Sequence, residues 1–332
     1  MKQLLNSLPL VLLALLSACA SADKKTSTED PNVGLMNSFV SQERTWAGLQ
    51  SKRIFLSDQQ MELTYSVGGI AGRPTLVLLH GFSGDRNNWN RVAQQLQQDY
   101  RLIIPDLPGH GESSLHPRDD YSSAEMASIL RDFIDQLGIE RYFIAGHSMG
   151  GGLAVQWSVF RPQQVQGLIL INSAGIYEHN GSAVMAQIER GNNPLLVQKA
   201  GDLKRVLDVV TYQPPFIPKR LLGEYEAQQI ARAATYQKVM DSLMKTQEHL
   251  GASMFHRALA AIPSPSLVVW GREDAIFDVG VTEELLEALR DPTLVTFDRV
   301  GHMSLLEAPW RTADAIRQFV EKTRAATGEN AL

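Results

Sequence analysis

The stretch Tyr142-Phe143-Ile144-Ala145-Gly146-His147-Ser148-Met149-Gly150 decides how the rest of the chain is read. An apolar strand pattern runs into a sharp turn and then into a helix pattern, which predicts Ser148 at the bend with its hydroxyl presented outward. Such a bend is crowded and accepts only small residues on either side. Gly146 and Gly150 supply them, and Gly151 and Gly152 let the next helix lie close. The helix amino terminus favours negative charge at the same spot. A serine held this way is expected to be a nucleophile.

A serine hydroxyl is weak until a base stands next to it. The chain order that accompanies this turn is serine, then acid, then histidine. His179, His249 and His256 follow Ser148 but fall in a helical, proline-punctuated stretch and are read as surface or packing residues. His302, in Val300-Gly301-His302-Met303 after the apolar run ending at Phe297, is expected to be the base. The acid belongs after the preceding run. Leu267–Trp270 leads into Gly271-Arg272-Glu273-Asp274, with Asp278 close behind, so Glu273, Asp274 and Asp278 are all candidates. An acyl intermediate also needs donors for its oxyanion. The backbone N–H of Met149 is one. Leu78-Leu79-His80-Gly81-Phe82 provides the second, the N–H of Phe82, whose side chain is expected to line an acyl pocket. His80 and His110 are read as structural.

The wider pattern is strands alternating with helices. Short, nearly continuous apolar runs at Thr75–Leu79, Leu102–Pro105, Tyr142–Ala145, Leu168–Ile171, Leu267–Trp270 and Leu294–Phe297 predict parallel strands buried on both faces. Arg53–Leu56 and Met61–Val67 flank a polar turn and predict a hairpin. Ser122 and Glu125 suggest a capping box for a helix that Gly138 ends. Leu35, Phe39, Trp46 and Leu49 recur at helical spacing. From 175 to 263 the rhythm breaks into helical sequence with Pro194, Pro214, Pro215 and Pro218, read as an inserted cap. The fold class is thus α/β, a mostly parallel sheet with helices on both faces and a helical cap. Asn180-Gly181-Ser182 is read as a chance glycosylation match.

The 332 residues are 44% hydrophobic and 20% charged, with net charge −5 and no Lys/Arg block, which argues against nucleic acid and polybasic lipid docking. No metal or organic cofactor and no protein partner is implied. The chain opens Met1-Lys2, carries an apolar run from Leu8 to Leu16 too short to span a bilayer, and continues Ser17-Ala18-Cys19. Leu16-Ser17-Ala18-Cys19 resembles the bacterial lipobox. That resemblance implies a signal peptide over 1–18 and lipidation of Cys19, the only cysteine. Ala20 and Ser21, with no Asp, imply the outer membrane by Gram-negative sorting rules. Residues 19–50 then form a tether and short helix, 51–174 and 264–325 the core, and 175–263 the cap.

Four blocks now agree in order and type: His80-Gly81-Phe82, Asp106-Leu107-Pro108-Gly109-His110-Gly111-Glu112-Ser113, Gly146 to Gly150, and the Asp274 and His302 loops. Together they resemble the α/β-hydrolase superfamily from about residue 53 to 322. The resemblance implies a Ser148-Asp274-His302 triad, since Asp274 occupies the family position G-x-x-D after its strand. Dehalogenases and epoxide hydrolases of the same fold carry Asp where this chain has Ser148. Asn192-Asn193-Pro194-Leu195-Leu196 and Tyr212-Gln213-Pro214-Pro215-Phe216-Ile217-Pro218 resemble the cap of lipases from cold-adapted Gram-negative bacteria and of α/β-hydrolase-domain monoacylglycerol lipases. His147 departs from some of these relatives, which have Asn or Thr. The implied activity is hydrolysis of lipid-like carboxylic esters, with Phe82, Leu195, Leu196, Phe216 and Met303 contacting substrate. A carbon–carbon bond hydrolase with the same triad is the alternative, and a non-catalytic envelope protein a more distant one.

Overall fold

The computed structural model describes residues 34–178 and 182–328. Helix α1 (Leu35–Trp46) leads into β1 (Leu49–Leu56) and β2 (Met61–Gly69). Then come β3 (Thr75–Leu79), a 3-10 turn at Arg86–Trp89, α2 (Asn90–Leu96), β4 (Arg101–Pro105), α3 (Ser123–Gln136), β5 (Tyr142–His147), α4 (Met149–Phe160) and β6 (Val165–Ile171). The next stretch holds α5 (Ala183–Glu189), α6 (Asp202–Val210) and α7 (Lys219–Ala260), with no strand among the described residues. The chain closes with β7 (Ser266–Gly271), α8 (Val281–Ala288), β8 (Pro292–Phe297), α9 (Ser304–Glu307) and α10 (Pro309–Ala326). Cys19, His179, Asn180 and Gly181 lie outside the described residues.

The strands form one sheet in the order β1-β2-β4-β3-β5-β6-β7-β8. The β1–β2 and β2–β4 pairs are antiparallel and every other pair is parallel. The apolar runs are continuous because alternate residues serve opposite faces. Val77, Leu79, Tyr142 and Ile144 join the core that includes Phe133 of α3 and Trp157 of α4. Leu76, Leu78, Phe143 and Ala145 join the core with Val92 of α2 and Ile316 of α10. Parallel register aligns the carboxyl ends of the strands, Leu79 opposite Gly146, His147 opposite Ile171 and Gly271 opposite Phe297. The loops that leave those ends therefore meet along one edge.

Three expectations shift in detail. The amino-terminal helix stops at Trp46, because Gly48 adopts φ 65° and turns the chain, and Leu49 opens β1 instead of continuing the helical stripe. β1 exposes most of its side chains, Lys52 and Arg53 among them, so its first half carries no apolar signal. Ser122 caps α3 by accepting from Glu125 N–H, but the return half of the box is missing. The Glu125 carboxylate turns instead to His116 and Arg118, and Ser122 N–H donates to Asp120. Within α7, Gly251 at φ 65° and ψ 162° breaks the helix.

Candidate active site

Ser148 sits between β5 and α4 at φ 51° and ψ −122°, a conformation that costs a non-glycine residue about 1–3 kcal/mol. The surroundings enforce it. Ser148 N–H donates to Ile171 O at 3.1 Å, and its carbonyl accepts from Gly151 N–H and Ala174 N–H. A Cβ on Gly146 would lie 2.1 Å from Gly150 O, and one on Gly150 would lie 2.5 Å from Leu79 O. The small residues read from the sequence are thus required by backbone contact, not only by the turn.

His302 leaves the end of β8 and places its Nδ1 2.9 Å from Asp274 Oδ2, both side chains nearly buried. Asp274 is held on every side. Its Oδ1 accepts from Ile276 and Phe277 N–H, and its Oδ2 also accepts from Asn172 Nδ2 at 2.8 Å. With Nδ1–H donated to the carboxylate, the imidazole keeps a free Nε2 lone pair, the form that can take a proton. The competing acids are engaged elsewhere: Glu273 accepts from Val300 N–H, and Asp278 from Gly280 N–H. His249 donates to Lys245 O on the surface, and His256 faces Glu284, so neither approaches Ser148 through a hydrogen bond.

The serine loop and the histidine loop are joined through His147. Its Nε2–H donates to the backbone oxygen of His302 at 2.9 Å, and the two rings lie 5.0 Å apart. Burial, reinforced by the neighbouring His302, pushes His147 down to about 3, so it stays a neutral donor. The loop after β3 closes the other side. A Cβ at Gly81 would lie 3.1 Å from Ser148 Cβ. His80 accepts from Leu107 N–H at Nε2 and donates to Gly81 O through Nδ1, which fixes this loop to the one after β4. Among the described residues no backbone carbonyl takes the N–H of Phe82 or of Met149. The block from Asp106 to Ser113 is structural: buried Arg86 pairs with Asp106 and Glu112, and His110 donates to Pro108 O.

Asn172 was not among the candidates. It follows β6 at φ 42°, bonds Asp274 and accepts from Ser304 Oγ at 2.5 Å. Its only sequence signal is a polar residue at the carboxyl end of a buried strand beside that of the serine. Phe277 was also missed; its ring stands 5.9 Å from His302 and leads through Tyr177 to Phe255 of α7.

The expected substrate contacts divide. Phe82 and Leu195 are half-buried against the core that contains Met149, as are Met185, Leu243, Met244 and Phe255. Leu196 is buried, and Met303 is half-buried with its N–H donated to Val210 O. Phe216 stands apart from these: it is 88% exposed, outside the half-buried group. Glu307 holds Gln213 N–H, and beyond that tie Pro214 and Pro215 keep the backbone extended and carry Phe216 outward.

The sequence profile described as alpha/beta hydrolase fold matches residues 74–206. Lipase 1 of Psychrobacter immobilis is 30% identical over 296 residues, 88% of this chain and 92% of that protein. Monoacylglycerol lipase abhd6-B of Xenopus laevis is 25% identical over 288 residues, 84% of each chain. The crystal structure of a membrane phospholipase A, a bacterial virulence factor, superposes with TM-score 0.83 at 30% identity, covering 95% of this chain and 97% of that one. The chain belongs to the α/β-hydrolase family and is a carboxylic ester hydrolase.

Proposed function

We propose that this protein hydrolyses carboxylic esters of lipids, acylglycerols in the first place, through an acyl-enzyme on Ser148. The observation that carries the reading is the Asp274–His302 hydrogen bond together with the strained backbone of Ser148; half-buried Met185, Leu195, Leu243, Met244 and Phe255, packed on the core that contains Met149, support an apolar acyl site. Ser148 Oγ attacks the ester carbon while His302 Nε2 accepts its proton. The Phe82 and Met149 N–H groups stabilise the oxyanion. The carbonyl re-forms, the alcohol leaves with the proton from His302, and water repeats the sequence to release the acid. Asp274 keeps the imidazole in the right tautomer and stabilises its charged form.

A nitrophenyl-ester series of increasing chain length tests this. Turnover should rise from acetyl to medium or long acyl groups, as each added CH2 gains about 0.8 kcal/mol where the wall receives it. Turnover of a vinylogous diketone with no ester turnover would instead establish carbon–carbon bond hydrolysis.

We further propose that Cys19 carries the lipid that holds the protein to a membrane of the bacterial envelope. No helix among the described residues is long and apolar enough to cross a bilayer. Cys19→Ser is expected to move the protein out of the membrane fraction or to leave it unprocessed. Full yield in that fraction at the processed mass overturns the anchor.

A further inference from the structure

Phe216 stands almost entirely in solvent, and Tyr212 on the same loop is half exposed. Pro214, Pro215 and Pro218 stiffen the segment between them and α7. Three and four residues beyond Phe216 come Lys219 and Arg220, both exposed, in the first turn of α7, which has no acidic residue there. A helix amino terminus disfavours cations, so the fold gains nothing from this placement. Lys219 makes no ion pair among the described residues, and Arg220 reaches only Glu224, at 3.5 Å.

Two connections give the patch its setting. The loop is tied to the histidine loop: Val210 O accepts from Met303 N–H, and Glu307 holds both Gly301 N–H and Gln213 N–H. The described chain also enters the fold beside it. Met36 N–H donates to Glu224, about 8 Å along α7 from Lys219, and Gln228, about 13 Å along it, donates to Asn37. Fifteen residues lie between Cys19 and Leu35, a reach of at most about 55 Å. A lipid on Cys19 could hold the protein near a bilayer over that length without fixing how it faces the surface.

We propose that Phe216, Tyr212, Lys219 and Arg220 form a docking patch for an anionic phospholipid bilayer, with the aromatic rings at headgroup depth and the two cations on lipid phosphates. An aromatic tip beside exposed cations is complementary to such an interface. The tie through Glu307 then sets the His302 loop against the surface from which lipid esters arrive. This proposal rests on the lipid-ester reading above.

The test uses the full chain with its anchor, in vesicles of phosphatidylcholine and phosphatidylglycerol. Phe216→Cys carries an environment-sensitive fluorophore, and Phe160→Cys is the comparison. Phe160 is 61% exposed at the far end of α4, about 18 Å from Ser148. The label at 216 should shift to the blue and be quenched by lipid-borne nitroxides, while the label at 160 stays as in water. Lys219→Glu with Arg220→Glu, which suits the helix dipole and should fold normally, should lower hydrolysis of a vesicle-embedded ester by about ten-fold or more, with a short soluble ester unchanged. A water-like signal at 216, or equal rates for the reversal variant on both esters, overturns the proposal. So does a shift at 216 that follows protein concentration without vesicles, which would mark contact with a second copy. Loss of all ester turnover in the unmutated protein counts against the lipid-ester reading alone, because the fluorescence needs no catalysis.

Discussion

Ser148→Ala and His302→Ala are each expected to lower kcat by about 10^5- to 10^6-fold, and the double variant by no more than either alone. The non-additivity follows from the geometry. In the proposed triad His302 takes one proton, that of Ser148, and the two histidines nearest the serine loop are engaged elsewhere: His147 gives its Nε2 proton to His302 O and His80 is locked between Leu107 and Gly81. The residual rate would come from the Phe82 and Met149 donors and from binding. Asp274→Asn should lower kcat by about 10^4-fold, because an amide can present a donor to Nδ1 and select the wrong tautomer. Glu273→Gln is the matched comparison, since Glu273 meets only Val300 N–H in this loop and should leave the imidazole as it is. Single-turnover acylation with a chromogenic ester measures all five variants. Near-normal acylation by Ser148→Ala would falsify the nucleophile assignment.

Unfolding free energy is expected to fall steeply between pH 6.5 and 4. Three fully buried histidines line the loops around the site. Burial pushes His80 down to about 4 and His110 and His147 down to about 3, each further lowered by a neighbouring histidine. Their folded values lie below the unfolded value of about 6.5, so the unfolded chain binds more protons through this window and stability is lost as pH falls. Each histidine contributes about 1.4 kcal/mol per pH unit, so the three together cost about 4 kcal/mol at pH 5.5 and about 8 kcal/mol at pH 4.5. Asp106, raised chiefly by burial, works in the opposite sense and offsets part of this loss. The remainder is comparable to the whole stability of many domains, about 5–15 kcal/mol. Urea titrations at half-unit steps of pH measure it, with His147→Asn as control. That variant should flatten the slope by about a third; an unchanged slope, or a flat profile for the unmutated protein, contradicts the account.

The strand that ends at Ser148 was legible because its signal is local. Five consecutive residues carry both the turn and the steric demand for glycine, and the structure adds only the identity of the opposing atoms, Gly150 O and Leu79 O. The strands β3 to β8 were legible for the same reason, with ends displaced by a residue or two and β6 by three. The start of β1 was not, because an edge strand with exposed side chains lacks the apolar run that marks its neighbours. Glu125 was misread because a capping box depends on what else its carboxylate can reach, and His116 and Arg118 are nearer claims than the Ser122 N–H. Phe216 was read as a substrate contact from its apolar character and from the resemblance of its segment to lipase caps. Which way it faces depends on the tie of its loop to Glu307, nearly a hundred residues later.

Ser148, the parallel sheet and the helical interval were determined by the sequence itself, through sterics and periodicities that act over a few residues. The tertiary structure decided how the loops meet. It brought Asp274 rather than Glu273 or Asp278 to His302, set Asn172 against Asp274 across 102 positions, and joined His147 to His302 across 155. Those contacts depend on strand order and register, which place the carboxyl ends of β3, β5, β6, β7 and β8 side by side. No local pattern encodes that arrangement, because each partner lies on a different loop and only the sheet between them fixes the distance.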